Sequence, residues 1–328
     1  MTEKAMINYQ KRDLRQFVDS NRELVIIYGI LFFIMGVSAL ASPQFRTATN
    51  TFNVLRQAVA LGLVSIGQTF VILSGGIDLS VGATISLIAV YTSGLMNGRP
   101  GLGVIVPIIL LMILIGLAIG FLNATLITRL KLAPFIATLA IASVIQGLVL
   151  LYTKRSIGKI SPGWNFFAEG MIGPVPFPVI FWGVLFLVAF VVLSRTTLGR
   201  YIIATGGSEQ IARYSGIQTR QVLYIAYMIC SFSAVLTGLF LISRMAIGDP
   251  QVGGLNYDRF DLDSITAVLI GGTRLGGGKG SVVGTVAGVL IVSVLNNIFN
   301  LTDVSTFYQW IVKGIIILLA VTSYMKRS

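Results

Sequence analysis

The chain has 328 residues, 55% of them hydrophobic and only 11% charged, with 24 Lys and Arg against 12 Asp and Glu for a net charge of +12. A soluble domain carries about 25% charged residues, so this composition excludes a soluble enzyme or binding module and predicts an all-α integral membrane protein. There is no histidine and a single cysteine, Cys230, which excludes a disulfide framework and a Cys or His metal centre, and removes the commonest general base.

The predicted elements follow in chain order. Residues 1–22 form a charged segment, and ten apolar runs come after it, at about 23–41, 51–73, 83–96, 103–127, 134–152, 177–194, 219–243, 264–273, 281–300 and 304–322. They define a single membrane domain over 23–322, with a short tail at 323–328. The first run ends in Ala39-Leu40-Ala41, a signal-peptidase-like pattern, but a retained anchor suits a protein of ten spans better. The second runs into Gly75-Gly76-Ile77-Asp78-Leu79-Ser80-Val81-Gly82. A carboxylate among helix breakers at membrane depth is costly, and irregular backbone persists there only where it is buried in protein or lines a wet cavity. Asp78 is therefore expected beside a polar pathway. The third and eighth runs are too short to span as plain helices, and the eighth follows a second acidic turn, Asp261-Leu262-Asp263.

Orientation follows from the loops. With both termini in the cytoplasm, fifteen Lys and Arg fall on the inner side and seven on the outer. They are scattered, with no basic face interleaved with aromatics, so the charge reads as topology and no nucleic-acid partner is expected. The longest outer loop is 153–176, and the largest inner one is 195–218. In the inner loop Glu209 and Arg213 stand at helical i,i+4 spacing over Ser208–Ser215, bounded by Gly206-Gly207 and Gly216.

The chain also repeats itself. Gly116-Leu-Ala-Ile-Gly120 returns as Gly284-Thr-Val-Ala-Gly288, and Val144-Ile-Gln-Gly147 as Ile311-Val-Lys-Gly314, at offsets that agree to one residue. Separated by an odd number of spans, such halves would be inverted, the plan on which many transporters place their site between the repeats. Lys313 lies within the last span, where an ammonium needs a partner, and Asp78 is the expected one. Gln57, Gln68, Asn123, Gln146, Asn296, Asn297, Tyr308, Gln309 and Trp310 supply polar and aromatic surface nearby. Any one of them alone is more often a helix–helix hydrogen bond than a ligand contact. Gly276-Gly277-Gly278-Lys279-Gly280-Ser281 is not a phosphate loop, because Thr273 stands where the first glycine is needed and Gly280 follows the lysine.

Three stretches together carry a resemblance: Gly75–Gly82, Leu198–Ile217 and Ala267–Gly280. They are similar to the membrane permease subunits of bacterial ribose-type sugar ABC importers, and the likeness runs from about residue 25 to 325. It implies a permease of the plasma (inner) membrane that moves a monosaccharide, a ribose-like pentose or a hexose, into the cytoplasm by alternating access. It also implies a second permease copy or close paralogue, a cytoplasmic ATP-binding subunit and an extracytoplasmic sugar-binding protein. The helix over Ser208–Ser215 would fit a groove on the ATPase, with Gly207, Ser208, Glu209, Arg213 and Gly216 as coupling residues. The translocation pathway would hold Asp78, Lys313, Asp261, Asp263, Gln68, Asn123, Gln146 and Asn297. The chain departs from the family around Asn256-Tyr257-Asp258-Arg259, where it carries about two extra residues. Alternatives are an ABC permease for a nucleoside or another sugar-like signalling molecule, and an ion-coupled symporter, which has no need of a docking helix. An enzyme is least expected, since no carboxylate dyad or nucleophile–base set is present, and no cofactor is called for.

Overall fold

The structure is a computed structural model in which residues 21–254 and 259–325 are described. The first twenty residues, the tail from 326 and, apart from Arg259, the extra residues around 256–259 lie outside the described residues. The helices are α1 (Arg22–Ala41), α2 (Ala48–Leu73), α3 (Val81–Met96), α4 (Leu102–Thr128), α5 (Pro134–Tyr152), α6 (Phe166–Glu169), α7 (Phe177–Arg195), α8 (Thr197–Gly207), α9 (Glu209–Tyr214), α10 (Thr219–Met245), α11 (Phe260–Ile270), α12 (Val282–Leu301) and α13 (Thr306–Met325). A two-residue hairpin, Met171–Ile172 with Val175–Pro176, joins α6 to α7. Each of the ten predicted apolar runs holds one of these helices. Among the described residues seven are long and apolar enough to cross a membrane: α1, α2, α4, α5, α7, α10 and α12. The helix α3 is apolar but shorter.

Helices α2 and α10 lie against each other at the centre. In α2, 83% of the apolar window is buried and in α10, 72%, whereas α4, α5 and α7 each bury 22% and turn Leu110, Leu114, Leu139, Val184 and Leu187 outward. Apolar surface on that scale is lipid-facing, not aqueous. Around the central pair, α10 packs on α3 and α4 while α2 packs on α11 and α12, and α5 and α13 lie outside α3 and α11. Glycine permits the closest of these approaches. A Cβ at Gly120 of α4 would stand 2.6 Å from the Tyr227 carbonyl oxygen of α10, and one at Gly288 of α12 would fall on the Ala267 carbonyl of α11. Trp182 of α7 lies in the gap that Gly62 leaves on α2.

The loops segregate to two ends. At one, Gly98 donates to the Lys159 carbonyl and Ile157 bridges Gly248. At the other, the end of α2 meets residues 206–207 and 276–278, and Lys279 pairs with Glu23 at 2.7 Å.

Three helices at this second end stop in the same way. Gly76 donates to Val71 O and Gly75 to Ile72 O; Ile217 to Ala212 O and Gly216 to Arg213 O; Thr273 to Val268 O and Gly272 to Leu269 O. Each is a paired closure around a glycine with φ of +86°, +82° and +86° at Gly75, Gly216 and Gly272, a conformation that other residues resist.

One expectation is corrected here. The eighth run begins at Phe260, so Asp261 and Asp263 sit inside the first turn of α11 instead of in a turn before it; carboxylates there interact favourably with the exposed N–H groups. Gly206 and Gly207 close α8, and Ser208, in extended conformation, is the N-cap at which α9 starts.

Candidate functional site: two polar clusters and a capped surface helix

Most of the polar residues expected along one pathway fall into two groups at opposite ends of α2. The first surrounds the break after α2. Asp78 is fully buried, and its Oδ1 accepts from Ser80 N–H at 2.8 Å and Ser80 O–H at 2.6 Å, which turns the chain into α3. Asn123 Nδ2 donates to Ser80 Oγ at 2.8 Å, Gln68 Nε2 to Asp78 O at 3.3 Å, Cys230 Sγ to Gln68 Oε1 at 3.2 Å and Tyr227 O–H to Ile77 O at 3.3 Å. This cluster ties α2, α4 and α10 to the broken segment. Asp78 Oδ2 and Asn123 Oδ1 make no hydrogen bond within it.

The second group lines a cavity of about 340 Å³ between α2, α10, α11, α12 and α13, within the range of small-molecule sites. Lys313 Nζ and Asp263 Oδ2 form an ion pair of 2.7 Å in its wall, with side chains 17% and 8% exposed. Gln57, Asn296, Gln309 and Trp310 stand around the pair, and Arg244, Ser293, Asn300 and Thr306 complete the polar lining. Gln57 and Arg244 also border a neighbouring cavity of about 290 Å³ with Asn53, Arg56 and Glu169.

The expected pairing of Asp78 with Lys313 is therefore corrected. Lys313 is two turns from the start of α13, level with Gln57–Leu61 of α2, whereas Asp78 follows the far end of that helix; twelve residues of α-helix separate these levels by about 18 Å. The carboxylate at the right depth is Asp263, which α11 carries in its first turn. Asp261 lies beside Arg259 at 3.6 Å. Gln146 and Asn297 join neither cluster: Gln146 Nε2 donates to Pro250 O at 3.1 Å, and Asn297 exchanges two hydrogen bonds of 2.9 and 3.0 Å with Asn50. Sequence reasoning missed Arg244, Ser293, Asn300 and Thr306. For the last three the available signal was a polar residue on the face of α12 or α13 that also carries an expected one: Ser293, Asn296 and Asn300 follow i, i+3, i+7 spacing.

The helix α9 stands at the end that holds Gly75. Ser208 Oγ accepts from Ile211 N–H at 3.3 Å, and Arg213 pairs with Glu209 at 2.6 Å across one turn. Ile211 and Tyr214 are 67% and 80% exposed, two large apolar side chains presented outward beside a charged pair. Glu209 and Arg213 also border a cavity of about 600 Å³ with Gly75, Gly76, Lys131 and Tyr227.

A multi-span helical bundle with a broken helix at its centre, a polar cavity at one end and a capped surface helix at the other fits a membrane permease. The profile of the family described as "Branched-chain amino acid transport system / permease component" matches residues 50–321. The chain is 41% identical to the ribose import permease protein RbsC of Bacillus subtilis over 91% of both chains, and 37% identical to RbsC of Escherichia coli K12 over 92% and 93%. It is also 35% identical to the D-allose transport system permease protein AlsC of Escherichia coli K12 over 90% and 89%. No solved structure gives a match. The chain belongs to this permease family and is a multi-pass protein of the plasma (inner) membrane.

Proposed function

We propose that this chain is the membrane subunit of an ABC importer that carries a monosaccharide, ribose or a closely related sugar, into the cytoplasm. The observation that carries the reading is identity of 41% to a ribose import permease along nine tenths of both chains, since a helical bundle with a polar cavity would suit many transporters. The identity to a D-allose permease favours a hexose as the second reading. In this proposal the ten apolar helices all cross or enter the bilayer, with both termini, the Gly75 end and α9 in the cytoplasm. The halves are inverted repeats. Support comes from the packing, in which α10 with α3 and α4 is matched by α2 with α11 and α12.

The cavity around Asp263 and Lys313 then opens from the outer side, and its amides, indole and ion pair suit a hydroxyl-rich cargo. The cluster at Asp78 closes the inner half. A second permease copy, an ATP-binding subunit on α9 and a sugar-binding protein on the outer face complete the assembly. The chain itself makes no covalent bond and needs no cofactor.

The test is uptake by vesicles that hold the chain, its ATPase subunit and the sugar-binding protein. Uptake should require internal ATP and persist when ionophores collapse the proton and sodium gradients. Uptake by the chain alone on an ion gradient would defeat the reading.

A further inference from the structure

We propose that a side-chain-free backbone junction, formed by Gly75, Gly206, Gly277 and Gly278, is the joint through which α8 and α9 move the inner end of α2. The inference rests on the reading of α9 as the ATPase-docking helix. Three chain segments about 70 to 200 residues apart meet there. Gly278 N–H donates to the Leu73 carbonyl at 3.0 Å, a helix-end carbonyl with no intrahelical partner. A Cβ on Gly206 would fall on that same carbonyl oxygen and 2.7 Å from Gly278 N. A Cβ on Gly277 would stand 2.7 Å from Gly75 N and 2.8 Å from Gly206 Cα, and one on Gly278 would stand 2.6 Å from Gly207 Cα. Gly75, Gly277 and Gly278 moreover hold φ of +86°, +80° and +74°.

The mechanical meaning lies in the missing side chains. A contact between side chains yields by changing rotamers; a contact between backbones has none to change, and packed interiors transmit displacement. Only Ser208 separates α8 from α9, so a force on α9 arrives at Gly206 directly. Beyond Gly75 the chain enters the break at Asp78, with Tyr227 donating to Ile77 O. The neighbouring cavity of about 600 Å³ leaves α9 and residues 75–76 room to move relative to the 131–134 loop. The glycines of the three sequence motifs thus serve one purpose.

The experiment uses the assembled transporter in vesicles and compares Gly206→Ala and Gly277→Ala with Gly276→Ala, a neighbour whose added Cβ meets open space. Expected are unchanged ATPase attachment and continued ATP hydrolysis in all three. Sugar taken up per ATP should fall at least about tenfold in the first two only, the range of a one-to-three kcal/mol coupling. Uptake per ATP equal to that of Gly276→Ala would overturn the junction. Absence of ATPase attachment in the unmodified protein would overturn the docking reading and the junction with it. If the two variants do not fold, hydrogen exchange on the unmodified complex decides. Segments 72–78 and 274–280 should change protection together with 204–216 when ATP binds; a change confined to 204–216 refutes the joint.

Discussion

At the residue scale the ion pair between Lys313 and Asp263 governs what the cavity of about 340 Å³ tolerates. Both side chains are mostly buried, so removal of the Asp263 carboxylate leaves the Lys313 ammonium uncompensated in low dielectric and costs about 3–5 kcal/mol, whereas removal of both costs less. Lys313→Met and Asp263→Leu should each lower the melting temperature of the detergent-solubilised protein, and the double variant should recover part of the loss. Equal and additive losses would show that the pair contributes nothing as a pair. Asp78→Asn and Lys313→Met, by contrast, should add, because these residues share no contact. The need of Lys313 for a carboxylate was legible in the sequence, since an ammonium inside an apolar run demands one. Which carboxylate was not legible, because depth depends on where α11 begins, and Phe260 as its first residue moves Asp263 into reach. The roles of Gln146 and Asn297 were equally hidden: a buried amide reads the same whether it binds cargo or a neighbouring helix, as Asn297 binds Asn50.

At the element scale, helix ends were legible wherever glycine or proline carries a backbone requirement. Pro134 starts α5, and the paired closures at Gly75 and Gly272 end α2 and α11. The helix α8 was less so, because the inner loop 195–218 carried a helical reading only over Ser208–Ser215, whereas Thr197–Gly207 is helical too and packs its last glycines against Leu73 and Gly278. For α9 itself stability and function should separate. Its Glu209–Arg213 pair is exposed and is worth about 0.3–0.5 kcal/mol as an i,i+4 contact. Replacing both residues with Gln should leave the melting temperature within error while weakening ATPase attachment in a pull-down from detergent. Intact attachment would move the docking surface elsewhere. Ser208→Ala, which removes the N-cap, should cost about 1 kcal/mol locally and raise hydrogen exchange over 209–214.

At the scale of the whole molecule, α2 and α10 meet along a central seam on which α3, α4, α11 and α12 pack. Gly67 makes that seam tight: a Cβ there would stand 2.7 Å from Cys230 Cα and 2.8 Å from Ser233 Cβ. Gly67→Val should therefore splay the pair, lowering thermal stability by about 1–3 kcal/mol, the cost of overpacking. Unchanged stability would mean that the seam has slack. The one cysteine of the chain lies on this seam, buried, with its thiol turned toward Gln68. A maleimide added to the resting protein consequently meets no native target, so a cysteine introduced at Ile211 or Tyr214 can be labelled alone without first removing Cys230. If the seam parts during transport, the same thiol becomes reactive only under turnover, and the unmodified protein carries its own chemical clock for that step.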